Sequence, residues 1–326
     1  MSKSITVSKA IGEALREEMI RDRNVIMIGE DIAVMGNVFG IMAGFLEEFG
    51  AQRVIDTPIS EYGFTGIAVG AAMRGIRPVV ELMYNDFAPV AGDPILNQAA
   101  KMRYMTGGQT AVPLVIRMPM GAGRRNAGQH SQSLENMFCH QPGLKVIAPS
   151  TAEEAKGLLK SAIRDDDPVM FLEHKLLYAR KEEIPEGEYT IPIGKAKVKR
   201  EGKDITIITW SRQVNFSLEA SEVLAKEGVS AEVLDLRTLV PLDWEAIVQS
   251  VSKTHRVIIV SEEVKRGSYA GELSAQIAED LFDELDAPAL RVCGLNIISP
   301  FSPPLEDKNF PHVEDIVQAV KKTLNV

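Results

Sequence analysis

Short apolar runs that alternate with helical patterns set the frame of this chain. Val25-Ile26-Met27-Ile28, Pro78 to Met83, Val112 to Met118, Lys145 to Ala148 and Val169 to Leu172 read as strands. Amphipathic stretches separate them, among them Ser8 to Arg21, Ile41 to Phe49, a long helix carrying Ile95, Leu96, Ala99 and Met102, and Thr151 to Ile163. Strands with no polar face belong to a parallel sheet covered on both sides. Lys181 to Lys203 is charged, carries Pro185 and Pro192, and reads as a connection. A second alternation follows, with strands Ile205 to Thr209, Ala231 to Leu236, Val257 to Val260 and Ala289 to Val292, and closes on a helix from Val313 to Leu324. The expectation is therefore an α/β protein with a parallel-sheet domain over 1–185, a linker over 186–203 and a smaller α/β domain over 204–326.

Ligands of such sheets bind beyond the carboxyl ends of the strands. Glu30, Glu61, Phe87 and His130 all follow expected strands, so one crevice can collect them. The stretch from Asp56 to Gly75 is the most distinctive. Pro58 ends an extended segment, Ser60 is placed as an N-cap, and Glu61 opens a helix with almost no bulk. Gly66 and Gly70 lie on one face of it, with Ala71 beside them. Glycine inside a helix costs about 1 kcal/mol against alanine, so another backbone is expected to pack close there. Taken alone, Glu61 is either an acid in the first turn that interacts with the helix dipole or a functional carboxylate.

Bulk properties narrow the classes. The 326 residues suffice for about two domains, and 45% hydrophobic with 25% charged residues is the composition of a globular protein. No apolar run approaches the ~20 residues needed to span a bilayer. The N-terminus enters an amphipathic helix (Ile5, Ile11, Leu15, Met19) without a signal-peptide pattern. Cys139 and Cys293 form no metal or redox motif, which fits a reducing cytoplasm. A net charge of -9 argues against nucleic acid and toward a basic partner.

The string Glu61, Gly66, Ile67, Gly70 resembles the pyrimidine-side signature of thiamine diphosphate enzymes. Further stretches, in order, are similar to the beta subunits of 2-oxo acid dehydrogenases: Gly29-Glu30-Asp31, Asn97-Gln98-Ala99-Ala100-Lys101, Gln129-His130-Ser131-Gln132-Ser133, Pro142-Gly143-Leu144-Lys145-Val146 and Lys321-Lys322-Thr323-Leu324-Asn325. The resemblance covers nearly the whole chain. It implies a pyrimidine-binding domain of transketolase type followed by a transketolase C-terminal-like domain.

The resemblance also implies roles. Glu61 would protonate a ring nitrogen of the cofactor's aminopyrimidine, Phe87 would stack on that ring, and Met83 and Ile59 would line the same pocket. Glu30 is either an acid that links to Glu61 or the cap of a turn. His130 would hold a substrate oxyanion or pass a proton when the acyl group moves to lipoamide. His140, His174, His255 and His312 read as structural. Arg124 and Arg125 are either a solvated loop or steer an anionic substrate. Main-chain oxygens of Leu114, Ala162, Ile163, Asp165 and Asp167 would hold a potassium ion, a hard cation suited to oxygen ligands. Asp286 and the carboxylate of Val326 would meet basic side chains of an acyltransferase.

The family's magnesium and diphosphate motif, Gly-Asp-Gly with a downstream Asn, is missing. Gly92-Asp93-Pro94 is the nearest string, and proline at the third position spoils it. The diphosphate and its Mg2+ would therefore be held by an alpha subunit, in a two-alpha two-beta heterotetramer that docks on a lipoyl acyltransferase core. The substrate expected is pyruvate. Acetoin and branched-chain 2-oxo acids are the alternatives, and a non-catalytic assembly subunit is the rival from another class.

Overall fold

A computed structural model describes residues 2–325. Val326 lies outside the described residues, so its expected docking role receives no structural account. The described chain divides into two compact units, the first made of residues 2–120 and 137–193, the second of 121–136 and 194–325.

The first unit runs β1 (Ser2–Thr6), α1 (Val7–Arg21), β2 (Val25–Gly29), α2 (Phe45–Phe49), β3 (Val54–Asp56), α3 (Glu61–Ala72), β4 (Arg77–Glu81), a π-helical turn Pro94–Ala99 leading into α4 (Ala100–Met105), and β5 (Val115–Met120). After the short helix α5 (Glu135–Cys139), whose first two residues count with the second unit, come β6 (Lys145–Ile147), α6 (Ala152–Arg164), β7 (Val169–His174) and β8 (Lys181–Pro185). Six of the strands form a parallel sheet in the order β6-β7-β5-β4-β2-β3. Ile11, Leu15 and Met19 of α1 pack with Leu158, Leu159 and Ile163 of α6 over Met27 and Phe171 of the sheet. Each such side chain, fully removed from water, contributes roughly 1.5–3 kcal/mol.

The second unit holds β9 (Lys197–Arg200), β10 (Ile205–Thr209), α7 (Gln213–Lys226), β11 (Ala231–Asp235), β12 (Thr238–Val240), α8 (Trp244–Thr254), β13 (Val257–Val264), α9 (Tyr269–Asp280), β14 (Leu290–Gly294), α10 (Pro303–Glu306) and α11 (Val313–Leu324). Its sheet has the order β14-β13-β10-β11-β9, parallel except for β9. Ile316, Val317 and Val320 join Ile207, Val233 and Ile258 in its core, so α11 is pinned as its apolar spacing predicts.

Three sequence expectations give way to local chemistry. Ile5 sits on a strand, paired antiparallel with Glu182 of β8, instead of opening the first helix. That helix starts at Val7, with the Thr6 hydroxyl accepting the Lys9 N–H. The expected helix from Ile41 shrinks to Phe45–Phe49, because Gly40 and Gly44 take φ of 67° and 84°. The expected linker is structured: residues to Ile193 go with the first unit, and Lys197–Arg200 adds an antiparallel edge to β11. Among the described residues no helix is long and apolar enough to cross a membrane.

Candidate active site at the strand ends of the first unit

The parallel register sets Gly29, Asp56 and Glu81 side by side at the ends of β2, β3 and β4. Gly29 is required there, since a Cβ would stand 2.9 Å from the Glu81 carbonyl oxygen. Past these ends lie Glu30, the Ile59–Glu61 turn and the Met83–Phe87 segment. The Thr57 N–H donates to Gly29 O at 3.0 Å, and Asp56 accepts the Ala33 N–H at 2.8 Å. These bonds tie the segment after β3 to the loop after β2.

Glu61 is the first residue of α3. Ser60 holds the N-cap position, yet its hydroxyl makes no capping bond. Its backbone N–H donates to the Glu30 carboxylate instead. Glu30 and Glu61 are thereby brought together. Partial burial raises the Glu30 pKa, the negative charges of Glu61 and Asp31 raise it further, and the Ser60 N–H opposes them. One Glu30 oxygen, Oε1, is buried without a hydrogen-bond partner, as are Thr57 Oγ1 and both polar atoms of the Asn85 amide. Buried polar groups are almost always paired. Four unpaired atoms along this edge depart from that rule.

Of the other expected residues, Met83 and Phe87 are half-buried beyond β4, and Ile59 is 84% exposed. The close backbone packing expected at Gly66 and Gly70 is not found among the described residues. A Cβ at Gly70 would meet nothing within 4 Å, and one at Gly66 only Pro94 at 3.9 Å. Tyr62 and Ile67, on the same helix, are 54% and 65% exposed. In the sequence Asn85 counts only as part of Asn85-Asp86-Phe87, a string that suits pyruvate or acetoin, and not as a residue of the cofactor pocket.

Beneath this edge lies a buried ionic network that the strand patterns concealed. Arg117 of β5 is fully buried and donates to Glu173 of β7 through Nε at 2.9 Å and Nη2 at 2.8 Å, and to Glu81 of β4 through Nη1. Asn37 donates to Glu81 at 2.6 Å and Tyr178 to Glu173 at 2.6 Å. Burial lowers and the two carboxylates raise the Arg117 pKa, with a net shift upward. The network fixes the ends of β4, β5 and β7 relative to one another.

His130 belongs with the second unit. Its neighbours Gln129, Ser131, Gln132 and Ser133 line a cavity of about 560 Å³ there with Asn296 and Phe310, and His130 itself does not line it. Arg125 is structural: it binds Glu306 and Asp307, each at 2.7 Å. His174 accepts the Leu176 N–H, His255 contacts the Glu284 carbonyl, and His312 caps α11, as the structural reading expects.

The turn expected to hold potassium is crowded with cations. The Arg77 guanidinium donates to the Ile163 and Asp165 carbonyls at 3.1 and 2.9 Å. Leu114 O accepts from Val169, and Ala162 O from Asp165. Lys145 pairs with Asp165 at 2.7 Å, and Arg103 with Asp167. A carbonyl oxygen has two lone pairs, so the donor set still fits a hard cation, with Arg77 as its rival. Asp286 is exposed but already pairs with Arg256 at 2.9 Å.

Residues 3–181 match the model described as transketolase, pyrimidine binding domain, and residues 194–316 the transketolase C-terminal domain. The acetoin:2,6-dichlorophenolindophenol oxidoreductase subunit beta of Bacillus subtilis is 47% identical over 99% of this chain and 98% of that protein. The pyruvate dehydrogenase E1 component subunit beta of Rickettsia felis is 47% identical over 98% of each. The chain belongs to the family of 2-oxo acid and acetoin dehydrogenase beta subunits. Within that family the 2-oxoisovalerate dehydrogenase subunit beta of Bacillus subtilis is 48% identical over 97% of each chain. A solved structure titled split gene transketolase, inactive beta4 tetramer, overlays with a TM-score of 0.79, at 24% identity and 98% coverage of both chains. Transketolase from Leishmania mexicana overlays at 0.72 and 16% identity, covering 99% of this chain and 46% of that one. These two comparisons show that the fold is transketolase-like. Membership of the family implies dependence on thiamine diphosphate.

Proposed function

We propose that this chain is the beta subunit of a pyruvate dehydrogenase-type decarboxylating component, active only when joined to an alpha subunit. The observation that carries the reading is the Glu30–Glu61 pair at the strand ends, flanked by unpaired buried atoms of Thr57 and Asn85. When bound, thiamine diphosphate would supply a nucleophilic carbon for chemistry at the 2-oxo group. Glu61 holds a proton toward the cofactor's pyrimidine nitrogen. Glu30, with its raised pKa, supports that protonation from behind. Phe87, Met83 and Ile59 exclude water from the ring.

The magnesium ion and diphosphate fall to the alpha subunit, because this chain lacks the Gly-Asp-Gly string. The open Gly66 and Gly70 face, with Tyr62 and Ile67 exposed, supports a partner at that helix. We assign two alpha and two beta chains in the cytoplasm, docked through Asp286 and Val326 on a lipoyl acyltransferase core. His130 serves the acyl transfer, and a potassium ion binds at the Asp165 turn. The acetoin reading stays beside this one, because relatives named for acetoin and for pyruvate stand at equal identity.

The test is to assay the assembled alpha–beta complex with pyruvate, acetoin and 2-oxoisovalerate, and then to repeat it with Glu61→Gln. Pyruvate should give the highest kcat/KM. The variant should assemble normally and lose at least ~100-fold in decarboxylation, the low end for a general acid. Activity near wild type in Glu61→Gln would overturn the assignment of the acid.

A further inference from the structure

The second unit carries a groove that no role above uses. β14 is the outermost strand of its sheet, hydrogen-bonded to β13 on one side only. A groove of about 510 Å³ is lined by every residue from Leu290 to Asn296, together with Lys308–Pro311 and one face of α11. Successive strand residues point to opposite faces of a sheet. A hollow lined by all of them therefore runs along the open edge of the strand and not over one face.

Its charge is opposite to that of the chain. Lys265, Arg291, Lys308 and Lys322 line it, against one carboxylate, Asp315, in a protein of net charge -9. Asp315 is engaged, its carboxylate accepting the His312 N–H at 2.9 Å. Among the described residues Lys265, Lys308 and Lys322 form no ion pair, and all three are exposed. An open strand edge offers a row of backbone donors and acceptors, and flanking cations select what can pair with it.

We propose that the edge of β14 is a docking groove for an extended acidic peptide segment of a partner protein, taken up as an added strand. Main-chain pairing supplies the register, and the four cations supply the selection for carboxylates. The surface differs in sign from the Asp286 region, so the two cannot serve the same partner chemistry.

The test uses the full chain and a fluorescein-labelled peptide of alternating Glu and Val, long enough to run beside β14, followed by anisotropy. Binding should weaken with added salt. It should be absent for the same peptide with Lys in place of Glu, and for the acidic peptide N-methylated at alternate residues. Lys308→Glu/Lys322→Glu changes two exposed side chains and should weaken binding at least about tenfold, or 1.4 kcal/mol. Inorganic tripolyphosphate should not displace the peptide. The proposal is overturned if the peptide does not bind, if the double variant binds it as wild type does, or if the N-methylated peptide binds equally. Displacement by tripolyphosphate at the concentration of unlabelled peptide would overturn it in favour of a small-anion pocket.

Discussion

Two acid pairs lie at the strand ends of the first unit, and they are finished to different degrees. Glu81 and Glu173 are buried, but Arg117 stands between them and Asn37 and Tyr178 take further lone pairs. Glu30 and Glu61 have no cation among the contacts the structure shows, and Glu30 keeps an unpaired buried oxygen. The first arrangement holds strands in place. The second breaks the rule that buried polar groups are paired, a departure of the kind functional sites show.

The most severe way to break this comparison is to unfinish the finished pair. Arg117→Met leaves two buried carboxylates without their cation, and breaking a buried ion pair costs about 3–5 kcal/mol. Chemical denaturation at pH 7 should show that loss. Burial already raises the Glu81 pKa and Arg117 opposes it, so without Arg117 the penalty should shrink as pH falls and Glu81 takes up a proton. A loss under about 1 kcal/mol at pH 7 would mean that Arg117 does not hold the network.

Much of this was legible beforehand, and the reasons differ by residue. The parallel sheet follows from apolar strands without a polar face, whereas the position of Glu61 at a helix start left a dipole acid and a functional carboxylate both open, and only the resemblance to thiamine diphosphate enzymes favoured the second. The Arg117 network was hidden because Glu81, Arg117 and Glu173 lie far apart in sequence, each in an otherwise largely apolar strand. Only the parallel register reveals that they converge. β1 and β9 were missed because they are short strands without an apolar run, whose pairing partners lie far away in sequence. The unpaired state of Asn85 and the open Gly70 face are three-dimensional facts that no spacing could show.

A third pair sharpens the contrast from the second unit. Glu135 and Glu263 are buried; Trp210 donates to Glu135 at 3.1 Å, while Asn136, Tyr269 and Ser261 donate to Glu263. Burial, and then the charge of Glu263, push the Glu135 carboxyl well above the usual range, and burial pushes Glu263 up to about 7. A raised folded pKa means stability that is full below the ordinary carboxylate value, near 4.5, and is lost as pH rises through about 7. Glu135→Gln mimics the protonated acid. It should stabilise the chain by about 2 kcal/mol at pH 8 and by almost nothing at pH 4, read from denaturation midpoints. An equal effect at both pH values would remove the carboxylate pair as its cause.

Glu30→Gln applies the same test to the unfinished pair with a smaller expected result, because Glu30 is less buried and solvent screens Glu61. Its raised pKa likewise favours the fold below the ordinary carboxylate range. The variant should melt slightly higher than wild type at pH 8 and at the same temperature at pH 4. In the assembled complex it should lower decarboxylation by about tenfold, less than Glu61→Gln, because it acts through Glu61. If the alkaline limb of the pH–rate profile does not move, Glu30 is a turn residue alone.

The smallest effect concerns a region that already looks complete. Arg77, Lys145 and Arg103 surround the Asp165 turn, and Arg77 donates to two of the carbonyls assigned to potassium. If the remaining lone pairs take the ion, exchanging sodium for potassium at constant ionic strength should stabilise the chain. The gain should be about 1 kcal/mol once potassium is several times its Kd. Arg77 competes for the same oxygens, so Arg77→Met, although less stable overall, should gain more from potassium than wild type does. Selectivity for size separates this from screening, which acts on the surface pairs alike with either ion. If sodium and potassium give one melting curve in both proteins, the guanidinium alone serves the turn, and the region is as finished as the Arg117 network.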